Sequence, residues 1–182
     1  MPNKEIKIIY ISGNGHSGST LLDMMIGSTP GFFSSGELAF ITRETIMEEY
    51  CSCGELINDC PTWSKVIKLW DYSRGMSYKE YQMLFWRYDR NKTFLRTLKN
   101  RWIKEKDFVR YSKATGELFH AIIKVTGAEI IIDSSKSAGR IEVLRQVSTD
   151  LTVIHLVRDF SGVLKSAKNS LKKDIPAGIE ED

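Results

Sequence analysis

The sequence predicts an α/β domain: a parallel sheet with helices on both faces and a helical, aromatic-rich insertion. Three observations predict it. A run rich in β-branched residues, Ile6 to Ile11, leads directly into Gly13, Gly15 and Gly18. Two further apolar runs, Glu129 to Ile132 and Leu151 to Val157, each end at a charged residue, Asp133 and Arg158. Stretches with apolar residues at helical spacing alternate with these runs. Short, nearly all-apolar strands that alternate with helices belong to parallel sheets covered on both faces.

Taken in order, the chain begins strand, glycine loop, helix. Leu21, Leu22, Met25 and Ile26 recur at helical spacing, and the helix ends near Pro30-Gly31. Ala138 to Val147 reads as a helix with Ile141, Leu144 and Val147 on one face. After the third strand, Phe160, Val163, Leu164, Ala167 and Leu171 form an amphipathic pattern with Lys165, Lys168 and Lys172 turned outward. Asp159 is placed to cap that helix. His155, inside an apolar strand, reads as a core residue. The stretch at about 44–110 differs from both ends: it holds all four tryptophans (Trp63, Trp70, Trp86, Trp102) and five of the seven tyrosines. Tyr81, Leu84, Phe85 and Tyr88 keep helical spacing there, which predicts an insertion packed over the mouth of the sheet with these aromatics as its core.

Composition bounds the function. With 182 residues, 42% of them apolar, the chain supports a single domain over residues 1–182 with a sizeable core. A net charge of +3 is too small for nucleic-acid binding, yet suits a small anionic ligand met by a few well-placed cations. No apolar stretch is long enough to span a membrane. The run Ile6 to Ile11 is short and broken by Lys7, so it reads as a strand and not as a signal peptide. Three cysteines are too few for a secreted disulfide framework. A soluble cytoplasmic domain is the expectation. There is no internal repeat.

Gly13-Asn14-Gly15-His16-Ser17-Gly18-Ser19-Thr20 has the spacing of a phosphate-binding P-loop. Glycines let the backbone turn so that successive N–H groups face an anion, and the following helix adds its positive dipole end. One position departs from the nucleoside-triphosphatase pattern. Ser19 stands where a lysine would neutralise the β- and γ-phosphates. The loop therefore predicts a donor with less charge than ATP or GTP, and one that needs no metal.

His-Ser-Gly-Ser-Thr-Leu-Leu at 16–22 resembles the 5′-phosphosulfate loop of sulfotransferases that use 3′-phosphoadenosine-5′-phosphosulfate (PAPS). The second mark of that family is an arginine ending a strand, with a serine eight residues later on the next helix. Arg158 and Ser166 fit it. The resemblance implies that Gly15, His16, Ser17, Gly18, Ser19 and Thr20 hold the 5′-phosphosulfate and that Arg158 and Ser166 grip the 3′-phosphate. A guanidinium at the carboxyl end of a strand suits that task chemically. It further implies transfer of a sulfuryl group to a hydroxyl or amine acceptor, with Glu37, in Ser34-Ser35-Gly36-Glu37-Leu38, as the base. The resemblance covers 6–40 and 128–172. Family members continue well past the 3′-phosphate helix, so a chain stopping at Asp182, after Glu180-Glu181, reads as C-terminally incomplete relative to them.

Other residues join this picture. A protonated His16 could stabilise charge on the leaving nucleotide, or serve as base in place of Glu37. Asp133-Ser134-Ser135-Lys136 closes the second visible strand; similar runs occur in bacterial relatives, and Lys136 is placed to pair with the sulfonate or the acceptor. Ser134 or Ser135 is expected to cap the following helix. Cys51-x-Cys53-x₆-Cys60, with Gly54 and Pro61-x-Trp63 around it, invites a zinc reading. No fourth ligand is near in sequence, since His16, His120 and His155 are all distant, so packing leads, a disulfide follows and no metal is assigned. The acceptor is expected to be a small molecule or carbohydrate with apolar or ring faces. Two rival functions remain: a P-loop small-molecule phosphotransferase, and a non-catalytic module that binds the nucleotide or a protein.

Overall fold

The computed structural model describes residues 6–47 and 49–173; the acidic end, Glu180 to Asp182, lies outside them. Four parallel strands, β1 (Lys7–Gly13), β2 (Phe32–Ser34), β3 (Ile130–Lys136) and β4 (Asp150–Leu156), form one sheet in the order β2-β3-β1-β4. Around it lie α1 (Ser19–Gly27), α2 (Ile41–Met47), α3 (Trp63–Ser73), α4 (Tyr78–Tyr88), α5 (Phe94–Leu98), α6 (Lys106–Thr126), α7 (Ala138–Val147) and α8 (Phe160–Lys173). The fold is α/β with an all-parallel sheet, as the alternation of strands and helices predicts. β2 is an addition, too short for its sequence to announce it.

Topology settles which side each helix takes. β1 lies between β3 and β4. The crossover through α1 therefore leads one way across the sheet, to β2, and the crossover through α7 leads the other way, from β3 to β4. Right-handed connections running in opposite directions put their helices on opposite faces. Burial keeps the period of two that this requires. Ile8, Tyr10 and Ile131 belong to the main core with α6 and α7, whereas Ile11 and Ile132 are buried outside that cluster.

The helical block between β2 and β3 runs from Ile41 to Thr126, and so extends beyond the expected boundary near residue 110. The extra length is α6, which stops only where Gly127 turns left-handed at φ 71°. Trp70, Tyr81, Phe85, Tyr88, Phe108 and Tyr111 are fully buried there, together with Leu84 nearby. Their polar ends are satisfied: Trp70 Nε1 donates to the Ala114 carbonyl at 2.8 Å, and the Tyr81 and Thr115 hydroxyls lie 2.9 Å apart. The aromatics are thus mainly core. Tyr50, Tyr72, Trp86 and Trp102 are the exceptions, and all four are exposed.

Three expectations need correction. His155 is exposed, because β4 is an edge strand among the described residues. Neither Ser134 nor Ser135 caps α7, since β3 runs on through Lys136 and the cap position falls to Ser137. The N–H of Ala138 instead finds the side chain of Asn91 at 2.7 Å. Finally, α1 buries Ser19 and Asp23 while Leu21, Met24 and Met25 face outward, and Phe160 and Leu164 of α8 are exposed too. The helical spacing is right and the buried face is not. Lys165 and Lys168 do point outward, and the side chains of Ala167, Leu171 and Lys172 lie outside the described residues.

The block is locked to the sheet by charge. Arg140 of α7 is wholly buried; its Nε donates to Asp133 Oδ2 at 2.6 Å and its Nη1 to Asp89 Oδ2 at 2.7 Å. Tyr111 of α6 donates to the same Asp89 oxygen at 2.8 Å. Burial opposes the charge on Arg140, but Asp133 and then Asp89 override it and hold the guanidinium pKa well above its ordinary value. Removing the cation strands two buried carboxylates. Arg140→Met should cost about 3–5 kcal/mol of unfolding free energy in urea titrations; a loss under ~1 kcal/mol would show that the triad is not holding the block.

Candidate functional site

β1 delivers the chain to the site, and Gly13 ends it. A Cβ on Gly13 would lie 2.5 Å from the Leu156 carbonyl oxygen, so β4 can pair this closely only with glycine. Asn14, Gly15 and His16 then turn in solvent, and Gly18, left-handed at φ 96°, starts α1. No side chain caps α1, and its first turn carries no acid. The N–H groups at its end and its dipole are left to an anion from outside. Ser17 Oγ is buried at the base of the loop without a hydrogen-bond partner.

β4 and α8 bring the second half of the site to this loop. Arg158 Nη1 donates to the His16 carbonyl at 3.1 Å, and Ser166 Oγ lies 3.5 Å from His16 Nδ1. These residues are 142 and 150 positions from His16 in sequence. Two local features aim them. Asp159 caps α8 by accepting the Gly162 N–H at 2.9 Å, and its carboxyl is held below the ordinary range by the Ser161 hydroxyl and then by that N–H. Gly162 leaves room for Arg158 to fold back over the helix start, for a Cβ there would lie 2.6 Å from the guanidinium Nε.

β3 supplies the third part. Lys136 at its end donates from Nζ to Glu37 Oε1, an ion pair with the ammonium mostly covered and the carboxylate half-open. Lys136 (φ 68°) and His16 (φ 62°) are the only non-glycine residues with left-handed backbone among the described residues. Such conformations cost about 1–3 kcal/mol and cluster where function needs them. Ser135 and Ser134 are anchors behind the pair. Ser135 Oγ receives the Ala39 N–H at 2.9 Å and donates to Asp133, and Ser134 Oγ donates to Asp23 Oδ2 at 2.7 Å.

Glu37 stands where three cavities meet. The first, about 540 Å³, is lined by the loop from Gly15 to Leu21 together with Lys136, Arg158 and Ser166. Every expected donor residue touches it except Ser17, which is buried just behind. A second, about 350 Å³, lies beyond Lys136 and Asn14, with Phe40, Phe85, Arg90 and Lys92 on its walls. A third, about 470 Å³, contains Asp23, Arg43, Glu44 and Ser134. Both larger volumes fall in the range of small-molecule sites.

Sequence reading overlooked Arg90, Lys92, Asp23 and Glu44, because nothing local marks them as lining cavities beside a distant strand edge. No family model matches the chain, and neither does any curated protein or solved structure. No helix among the described residues is long and apolar enough to cross a membrane.

Glu44 adds a testable pH dependence. Burial first, then the neighbouring Glu49 and Glu37, against the pull of Arg43, raise its pKa from 4.5 to about 7. The folded chain therefore keeps a proton that the unfolded chain has lost, and the contribution of Glu44 is full below pH 4.5 and lost as pH rises through about 7. Urea midpoints of Glu44→Gln, measured across that window, should lack a decline that the wild-type chain shows. Parallel curves would remove Glu44 as its source.

Proposed function

We propose that the chain is a sulfotransferase on a P-loop fold that uses PAPS as sulfuryl donor. The observation that carries the reading is the convergence of Arg158 and Ser166, from β4 and α8, on His16 of the loop that follows β1. A strand-end guanidinium with a helix hydroxyl makes one anion site, and the uncapped start of α1 makes another. Two anion sites in one cavity suit a nucleotide phosphorylated at both ends of its ribose. Ser19 in place of the loop lysine disfavours a triphosphate. The orphaned Ser17 hydroxyl and the 540 Å³ volume fit such a ligand.

The donor supplies a sulfonate already bonded to a good leaving group, so the protein has to orient, neutralise and move one proton. Backbone N–H groups from Gly15 to Thr20 hold the phosphosulfate. The Arg158 guanidinium and the Ser166 hydroxyl hold the 3′-phosphate, which fixes the nucleotide in line. Glu37 faces the donor cavity and both neighbouring cavities. It takes the proton from the acceptor hydroxyl or amine as that group attacks sulfur. Lys136, paired with Glu37, sets an ammonium beside the sulfonate. His16 lies at the bridge between the two anion sites, where a protonated imidazole offsets charge on the departing phosphate.

The acceptor enters from the second cavity. Phe40 and Phe85 offer ring faces there, and Arg90 and Lys92 add positive charge. A ring-bearing or sugar-like acceptor with its own anionic group suits those walls best.

In calorimetry, 3′-phosphoadenosine-5′-phosphate should bind and ATP–Mg²⁺ should not. Arg158→Ala should weaken the nucleotide by about 10-fold or more, the loss of a charge-assisted hydrogen bond. Binding of ATP–Mg²⁺ in place of the bisphosphate would favour a phosphotransferase, and binding of neither would remove both enzymes.

A separate assay follows sulfate transfer to a panel of phenols and sugars. Glu37→Ala should lower turnover by about 100-fold or more while nucleotide affinity is kept. Turnover equal to wild type would pass the base to His16.

A further inference from the structure

Cys51, Cys53 and Cys60 line none of the cavities just described, and the fold brings their sulfurs together. All three Sγ atoms are within 4.8 Å of one another. The segment that carries them, from Glu49 to Thr62, contains neither helix nor strand, only a single antiparallel bridge between Tyr50 and Leu56. It nevertheless buries Ile57 and Cys60 in the core and sets the start of α3. Something has to hold it.

We propose that these three thiolates form a site for a thiophilic divalent cation, Zn²⁺, which staples this loop to the head of α3. The local backbone is arranged for it. The Gly54 N–H donates to the Cys51 carbonyl at 2.9 Å, closing a tight turn that ends in left-handed Gly54, φ 92°, and carries Cys51 and Cys53 on one side. The Cys51 N–H donates to the Glu55 carbonyl at 2.8 Å, and the Cys60 N–H to the Leu56 carbonyl at 2.8 Å. These bonds fold the third cysteine back over the turn.

Geometry separates metal from disulfide. Four ligands at about 2.3 Å in a tetrahedron place sulfurs ~3.8 Å apart, so the cluster must contract by about 1 Å at most. A disulfide requires sulfurs about 2.05 Å apart and leaves the third thiol stranded beside it. Three soft ligands disfavour Mg²⁺ and Ca²⁺ and suit zinc among divalent cations. No carboxylate or imidazole joins the group among the described residues. The fourth position would fall on the side of exposed Cys53, open to a solvent ligand.

The test uses the full chain, reduced, stripped with chelator and titrated with Co²⁺ and then with Zn²⁺ against a chromophoric competitor. One equivalent of Co²⁺ should give a sulfur-to-metal charge-transfer band, and Zn²⁺ should abolish it. Cys53→Ser, which alters only an exposed side chain, should weaken Zn²⁺ by about 10-fold or more, and Ser52→Ala should leave it unchanged. Absence of the band in a chain with three titratable thiols would overturn the proposal. So would a metal-free chain purified without reductant whose mass shows an intact disulfide between two of these cysteines.

Discussion

The buried guanidinium of Arg140 is the constraint on which the site depends. Four segments that share no sequence neighbourhood end on it directly or through one hydrogen bond: Asp133 in β3, Asp89 after α4, Tyr111 in α6 and α7 itself. Asp133 also holds Ser135, and Ser135 holds the N–H of Ala39 just beyond Glu37. The triad therefore reaches, in two further bonds, the segment that presents the proposed base. A buried ion pair is weak evidence for net stability, because an apolar replacement of all three groups could serve as well. What it supplies here is register. Each carboxylate has only one place where its charge can be met, so the helical block can settle on the sheet in only one way.

That register explains the strain at Lys136. β3 is held by its pairing with β1 until Tyr10 and Asp133, and the pairing then slips so that Ser12 meets Lys136. The slip throws Lys136 into the left-handed region and turns its ammonium toward Glu37. Meanwhile Tyr10, next to the slip, donates to the Ser137 carbonyl at 2.6 Å, and burial keeps its hydroxyl protonated well beyond the ordinary tyrosine range. The backbone cost at Lys136 is thus carried by contacts on both sides of it.

Legibility in the sequence followed locality. The opening strand, loop and α1 could be read because glycine spacing and a β-branched run are local signals, and Ala138 to Val147 could be read because its period is helical from end to end. β2 could not, since Phe32-Phe33-Ser34 has no room to show a period. α6 escaped for another reason: its buried face includes Ser112, Ala114, Thr115 and Ala121, which dilute the apolar stripe. The error at His155 is topological. An apolar-looking strand is central or at an edge according to what pairs with it, and no single strand states that. Glu37, His16, Lys136, Arg158 and Ser166 were all named in advance and meet around one cavity, but their partners were not. The loop and the Arg–Ser spacing are local marks; a salt bridge between residues 99 positions apart is not.

The Glu37–Lys136 pair also bears on how the proposed chemistry would be ordered. The Lys136 ammonium is engaged by Glu37, which in turn occupies the carboxylate. A sulfonate placed at the start of α1 would compete for that ammonium at short range in a half-buried setting, where charge–charge terms are several-fold stronger than in bulk water. Each step toward the sulfonate would loosen the hold on Glu37. The donor would then unmask the base that the acceptor needs, and an acceptor arriving first would find a carboxylate already engaged. Under the proposed chemistry, ordered entry would follow from one shared lysine.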